Sequence, residues 1–194
     1  MTLAARLRTA FQAAADRVAM GCDDLTFAGD LTPAAVLIPI IDRPEPGLIL
    51  TLRQPHLRRH AGQISFPGGR IDPEDGSPIA AALREAHEEI ALDPAVVDVV
   101  GAADPYHTGS GYAIVPVVGV VPPDVRLVPS EAEVAAVFEV PLSYVMAAAN
   151  QIERIAFFAG RERRFHEIQW QDRRIWGITA ALIVDLSRRL ETLP

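Results

Sequence analysis

Cysteine is almost missing from this chain: Cys22 stands alone among 194 residues. No internal disulfide and no all-cysteine zinc site can form, which fits a reducing compartment and makes the cytoplasm the expected location. Basic charge is also short, with 18 Lys and Arg against 25 Asp and Glu and a formal net charge of -7. Nucleic acid is therefore not expected as a partner, because phosphate backbones are held by clustered cations. An acidic chain that handles phosphates needs a metal cation. Long apolar runs are absent as well. AAVLIPII (34 to 41) and GITAALIVD (177 to 185) fall well short of the roughly 18 residues a spanning helix requires, and no secretory segment is visible.

What is present is ordinary globular composition, 49% hydrophobic and 22% charged, in a length that suits one compact domain. Residues 1–30 read as an Ala-rich amphipathic helix with Leu3, Leu7, Phe11, Ala14 and Val18 in one stripe, packed on a domain spanning 31–194. An organelle transit peptide can look similar, but Asp16 interrupts the basic bias and no cleavage signal follows.

The runs 34 to 41 and 48 to 53 flank RPEPG and predict a hairpin, and QISF (63 to 66) is a third strand candidate. Pro78 opens a helix whose buried stripe is Ile79, Leu83, Ala86 and Ile90. VVDVVGAA (96 to 103), YAIVPVVGVV (112 to 121) and RFHEIQW (164 to 170) read as strands. EVAAVFEVPL (133 to 142) fits strand or helix, and Ile175 to Leu190 reads as one long apolar helix. Strands interleaved with a few helices predict an α/β (α+β) domain, a mixed sheet with helices packed on it.

The helix opened by Pro78 carries LREAHEE (83 to 89), three glutamates within little more than a turn. Like charges at helical spacing cost about 0.2–0.5 kcal/mol per pair. Projection at about 100° per residue places Glu85 and Glu89 together on one border of the buried stripe and turns Glu88 outward. A carboxylate pair where a core meets a cleft suits Mg²⁺ or Mn²⁺, hard cations that take oxygen ligands and keep waters. A solvated acidic face would carry the same residues. The loop upstream, FPGGRIDPEDGSP (66 to 78), favours the site, since Gly68 and Gly69 permit close backbone approach and Arg84 can orient a carboxylate or a phosphate. An EF-hand is excluded because Gly76 falls where a ligand is required, and a P-loop because no glycine is followed by Lys-Ser or Lys-Thr at the required spacing.

This segment resembles the Nudix box, with Gly69, Arg84, Glu85, Ala86, Glu88, Glu89 and Leu92 in matching positions. Asp75 replaces the first glutamate, eight residues rather than seven separate it from Arg84, and Ala91 stands where the box has its second glycine. If that position needs positive φ, alanine strains it by about 1 kcal/mol. The extra residue is similar to the coenzyme A pyrophosphatase branch. So is the preceding ILTLRQPHLRRHAGQISFPGG (49 to 69), with Leu50, Thr51, Arg53, Arg58, Gly62, Phe66, Pro67, Gly68 and Gly69 in register and Gln54 in place of Ser or Thr. EVAAVFEVPLSYV (133 to 145) and RRIWGITAALI (173 to 183) also resemble that branch.

The resemblance implies a Nudix fold, a mixed sheet sandwiched between helices, and metal-dependent hydrolysis of the coenzyme A diphosphate to 3',5'-ADP and 4'-phosphopantetheine. It implies Glu85 and Glu89 as ligands of Mg²⁺ or Mn²⁺, and Glu88 as a third ligand or water-orienting base. Glu133 is a further candidate base. Arg53, Arg58, Gly68, Gly69 and Arg84 are the expected substrate-binding residues. His60 and His107 are weaker acid-base candidates, and Tyr112, Trp170 and Trp176 could stack on adenine, although core packing suits the tryptophans. The partner is a small coenzyme A-like nucleotide, with no membrane, for a monomer or homodimer. Two alternatives stand: hydrolysis of another nucleoside diphosphate derivative such as ADP-ribose, and a non-catalytic nucleotide-binding module, which would be expected to lose the box glutamates.

Overall fold

The computed structural model describes residues 1–13, 29–57, 60–158 and 161–190. Cys22, Arg58 and the part of the expected N-terminal helix from 14 to 28 lie outside the described residues. In chain order the elements are α1 (Leu3–Ala13), β1 (Thr32–Ile41), β2 (Gly47–Arg53), β3 (Ile64–Ser65), β4 (Gly68–Arg70), α2 (Pro78–Ile90), β5 (Asp98–Ala102), β6 (Tyr106–His107) and β7 (Tyr112–Val121). They continue as β8 (Val134–Pro141), α3 (Leu142–Met146), β9 (Ile152–Phe158), β10 (Arg161–Trp170), β11 (Arg173–Trp176) and α4 (Ile178–Leu190). Among these described helices none is long and apolar enough to cross a membrane.

The main sheet is mixed, in the order β3-β2-β1-β7-β5, with β1 and β7 parallel and the other pairs antiparallel. Its strands are apolar on both faces because both are covered. Along β1, Ile38 and Ile40 join the core formed with Ala4 and Leu7 of α1 and Ile183 and Leu186 of α4. The alternate residues Ala35, Leu37 and Ile41 join the core under Ala82, Ala86 and Ile90 of α2. The sheet is thus sandwiched between α2 and the α1/α4 pair, as expected from the sequence.

One irregularity positions the site. β1 and β2 pair only at Ile40–Leu48 and Ile41–Gly47, then part, and the segment 64–70 enters between them. β3 pairs with β2, and β4 pairs with β1 at Ala34, Ala35 and Val36. Pro39 stands between the stretches of β1 paired with β4 and with β2, where no ladder requires its missing N–H. Pro116 of β7 is placed likewise, between the stretches paired with β6 and β5.

A second, antiparallel sheet has the order β11-β10-β9. Here the structure departs from the single helix expected from Ile175 onward. Residues 173–176 form a strand, with Ile175 fully buried between the exposed Arg174 and Trp176, and Gly177 at φ 62° turns the chain into α4. The segment 133 to 142 resolves as a strand, and β9 is a strand that the sequence reading left unassigned.

Candidate functional site

The helix α2 is delimited by local chemistry. Ser77 accepts a hydrogen bond from the Ala80 N–H at 3.1 Å, Pro78 occupies the first turn, and Ala91 closes the helix in the left-handed region (φ 54°, ψ 27°), its N–H donating to the His87 carbonyl at 2.9 Å. Packing the Ala82, Ala86 and Ile90 face on the sheet sets the three glutamates apart. The side chains of Glu85, Glu89 and Glu88 are 18%, 4% and 56% exposed. Glu85 and Glu89 therefore lie against β4, and Glu88 faces outward.

Glu89 is the most enclosed of them. The Gly68 N–H donates to its Oε2 at 3.2 Å, and Arg53 Nη1 reaches its Oε1 at 3.4 Å. Burial pushes its carboxyl up to about 7; Arg53 and the Gly68 N–H pull against that, and Glu133 and Glu85 add to it. Burial also raises Glu85, opposed by Arg84 and reinforced by Glu88 and Glu133. Glu133 is thus electrostatically linked to both. A Cβ on Gly69 would overlap the Glu85 carboxylate, so only glycine leaves room for it. Arg53 is aimed at this border by a register shift, in which Leu52 lies opposite Ala136 and Arg53 opposite Val134, skipping one residue of β8.

Arg84 takes the carboxylate-orienting role. Its Nε and Nη2 donate to Asp75 at 2.8 and 3.0 Å, its Nη1 to Glu85 and Glu88 at 3.1 and 3.0 Å, and its Nη2 also to the Arg70 carbonyl at 3.1 Å. Asp75 in turn accepts from the Asp72 N–H at 2.7 Å, and the Arg84 guanidinium holds its carboxyl below the usual range. Such a brace fastens the loop before the helix to the helix itself.

The turn that carries Glu133 is tied to the end of α2. The Ser130 N–H donates to the Glu89 carbonyl at 2.8 Å and the Val128 N–H to the Ile90 carbonyl at 2.9 Å. The chemistry of this donor set fits a hard divalent cation: two carboxylates on one helix border, both pushed toward protonation by burial and by neighbouring negative charge that a cation would offset. Among the described residues no group of three His, Cys, Asp or Glu is gathered as a ready metal cage. A two-carboxylate site completed by water and substrate phosphate is the form Mg²⁺ commonly takes.

The other residues singled out by sequence are more dispersed. His60 is exposed and pairs with Gln63 at 2.9 Å, and His107 is exposed on β6. Trp170 packs edge-on against Tyr144 at 4.6 Å. Trp176 keeps 38% exposure against Phe165, and the Tyr112 hydroxyl accepts from Arg70 at 3.4 Å. Sequence reasoning did not anticipate Asp75 as the anchor of Arg84; the capping pattern Asp72-Pro-Glu-Asp75 signals only the bond from the Asp72 N–H. Arg53 reads from sequence as a phosphate binder or as an ion-pair residue without an identified partner; its contact with Glu89 spans 36 residues and has no local signal.

A NUDIX domain profile matches residues 31–168. Curated relatives include "Uncharacterized Nudix hydrolase NudL" of Escherichia coli (strain K12) and of Shigella flexneri, each 45% identical over 161 residues, which is 83% of this chain and 84% of the relative. Among solved structures, the Nudix hydrolase RenU from M. smegmatis superposes with a TM-score of 0.52 at 21% identity, over 64% of this chain and 80% of that one. A MutT/nudix family protein from Enterococcus faecalis gives 0.50 at 13% identity, over 85% and 63%. These likenesses carry the fold.

Proposed function

The chain belongs to the Nudix family, and from that premise we propose that it hydrolyses the diphosphate of coenzyme A or its derivatives to 3',5'-ADP and 4'-phosphopantetheine or the acyl form. It is a Nudix pyrophosphohydrolase for a nucleoside diphosphate derivative, in a family that uses divalent metal ions. The observation that carries the reading is the enclosed Glu85 and Glu89 pair beside Gly68 and Gly69. Support for coenzyme A comes from the chain leading into that site, ILTLRQPHLRRHAGQISFPGG, and from the extra residue between Asp75 and Arg84.

Glu85 and Glu89 would hold Mg²⁺ or Mn²⁺. When bound, that ion supplies charge neutralisation on the diphosphate and a nucleophilic water at neutral pH. Gly68, through its N–H, and Arg84, through its guanidinium, fix the two carboxylates. Glu133, close enough to raise both electrostatically, accepts the proton of the attacking water. Glu88, paired with Arg84 and largely exposed, is better placed to tune Arg84 than to ligate beside Glu89. Arg53, partly exposed beside Glu89, and Arg58 pair with substrate phosphate oxygens, to which guanidinium forks are matched.

Incubation with coenzyme A, acetyl-CoA and ADP-ribose, with and without Mg²⁺ or Mn²⁺, tests the reading by product analysis. Metal-dependent release of 3',5'-ADP from coenzyme A is expected. Cleavage of ADP-ribose alone would replace the coenzyme A assignment.

A further inference from the structure

We infer that Gln54 is a positioning residue for Glu133. The inference rests on the reading of Glu133 as the base. Among the described residues the Glu133 carboxylate makes no hydrogen bond or ion pair, and the residue is exposed, so its reach is set by where its backbone is held. Gln54 is what holds that backbone on the strand side. Its N–H donates to the Glu133 carbonyl at 2.8 Å, and its side-chain Nε2 donates to the Glu131 carbonyl at 2.9 Å and the Val134 carbonyl at 3.4 Å. One residue thus grips three carbonyls of a single turn.

The far side of that turn is fastened to α2 through Ser130 and Val128. Glu133 therefore sits on a bridge between the helix that carries Glu85 and Glu89 and the strand that carries Arg53. The register shift at Arg53, which passes over Ala135, leaves Gln54 just past the paired stretch and beside the turn that leads into β8. The carboxamide has two N–H donors on a side chain long enough to span two carbonyls, whereas a Ser or Thr hydroxyl at this position would donate once from a shorter arm. Gln54 stands where the pattern across 49 to 69 has Ser or Thr, and the contact gives the longer side chain a role there.

The test is a double-variant cycle on the full chain with Mg²⁺ and coenzyme A, or ADP-ribose if that is the substrate cleaved. Gln54→Met keeps the length and removes both donors. It is expected to lower kcat about tenfold while KM changes less than about twofold, with circular dichroism and Tm reporting an intact fold. Combined with Glu133→Gln, it should slow the enzyme no further than Glu133→Gln does alone, because a brace has nothing to hold once the base is gone. A double variant whose losses multiply overturns the inference and leaves Glu133 as base. Full turnover of Glu133→Gln overturns the base assignment together with the inference. A Gln54→Met enzyme with wild-type kcat overturns the inference alone.

Discussion

Replacing Glu89 by Gln keeps the side-chain shape, removes a buried charge, and is expected to make the chain more stable while abolishing turnover. In the fold its carboxyl is raised from the model-compound value of 4.5 to about 7, chiefly by burial. At about 1.4 kcal/mol per pH unit, ionising it inside the fold costs roughly 3 kcal/mol. The folded chain binds this proton more tightly than the unfolded chain, so between about pH 4.5 and pH 7 stability falls as pH rises, and the loss is complete above the folded value. Gln does not titrate and escapes that loss. Arg53 gives up an acceptor but is 23% exposed and can turn to water, while the Gly68 N–H still finds the amide oxygen. The net gain at pH 8.5 is therefore about 2 kcal/mol. Urea unfolding in EDTA at pH 5.5 and 8.5 measures it, with the difference between the proteins shrinking at the lower pH. Added Mg²⁺ should stabilise the wild type and not Glu89→Gln, since binding to the folded state alone raises stability by mass action. A variant less stable than wild type at pH 8.5, or a difference independent of pH, would refute the claim that burial outweighs the Arg53 contact.

Two further substitutions probe the geometry. Gly69→Ala puts a methyl group where the Glu85 carboxylate lies, so the carboxylate must move; kcat should fall by about 100-fold, the scale of a misplaced catalytic group, with the circular dichroism spectrum unchanged. Wild-type turnover would show that Glu85 tolerates displacement. Ala91→Gly should raise stability by about 0.5–1 kcal/mol, because a left-handed residue at φ 54° costs alanine more than glycine loses in unfolded-state entropy. Thermal melting checks this, with a Tm increase of about 2–4 °C expected and a decrease contradicting it.

The parts of this protein legible in its sequence are those whose causes are local. Pro78, the apolar stripe and the residue following Ile90 delimit α2 to the residue, because a cap, a first-turn proline and a helical period act within a few positions. The same projection ranked Glu85 and Glu89 above Glu88, and their exposures follow that order. The segment from Ile175 was misread for a related reason. Four residues of alternation in RRIW are too short to compete with the apolar run that follows, and only Gly177 marks the boundary. The parting of β1 and β2 leaves a fainter trace still, in prolines 39 and 116, each of which sits where a partner strand is missing.

Helical spacing explains why two carboxylates stand together, but it does not make either of them unusual. Glu89 becomes so because β4, wedged between β1 and β2, closes over it and supplies the Gly68 N–H, while the shifted register of β2 on β8 brings Arg53 alongside. The turn before β8 adds the charge of Glu133. Three segments distant in sequence thus convert an acidic helix face of a common kind into a site whose negative charge is held at a cost. That cost is what a divalent cation would remove, so affinity for the ion should depend on the wedge as much as on the glutamates.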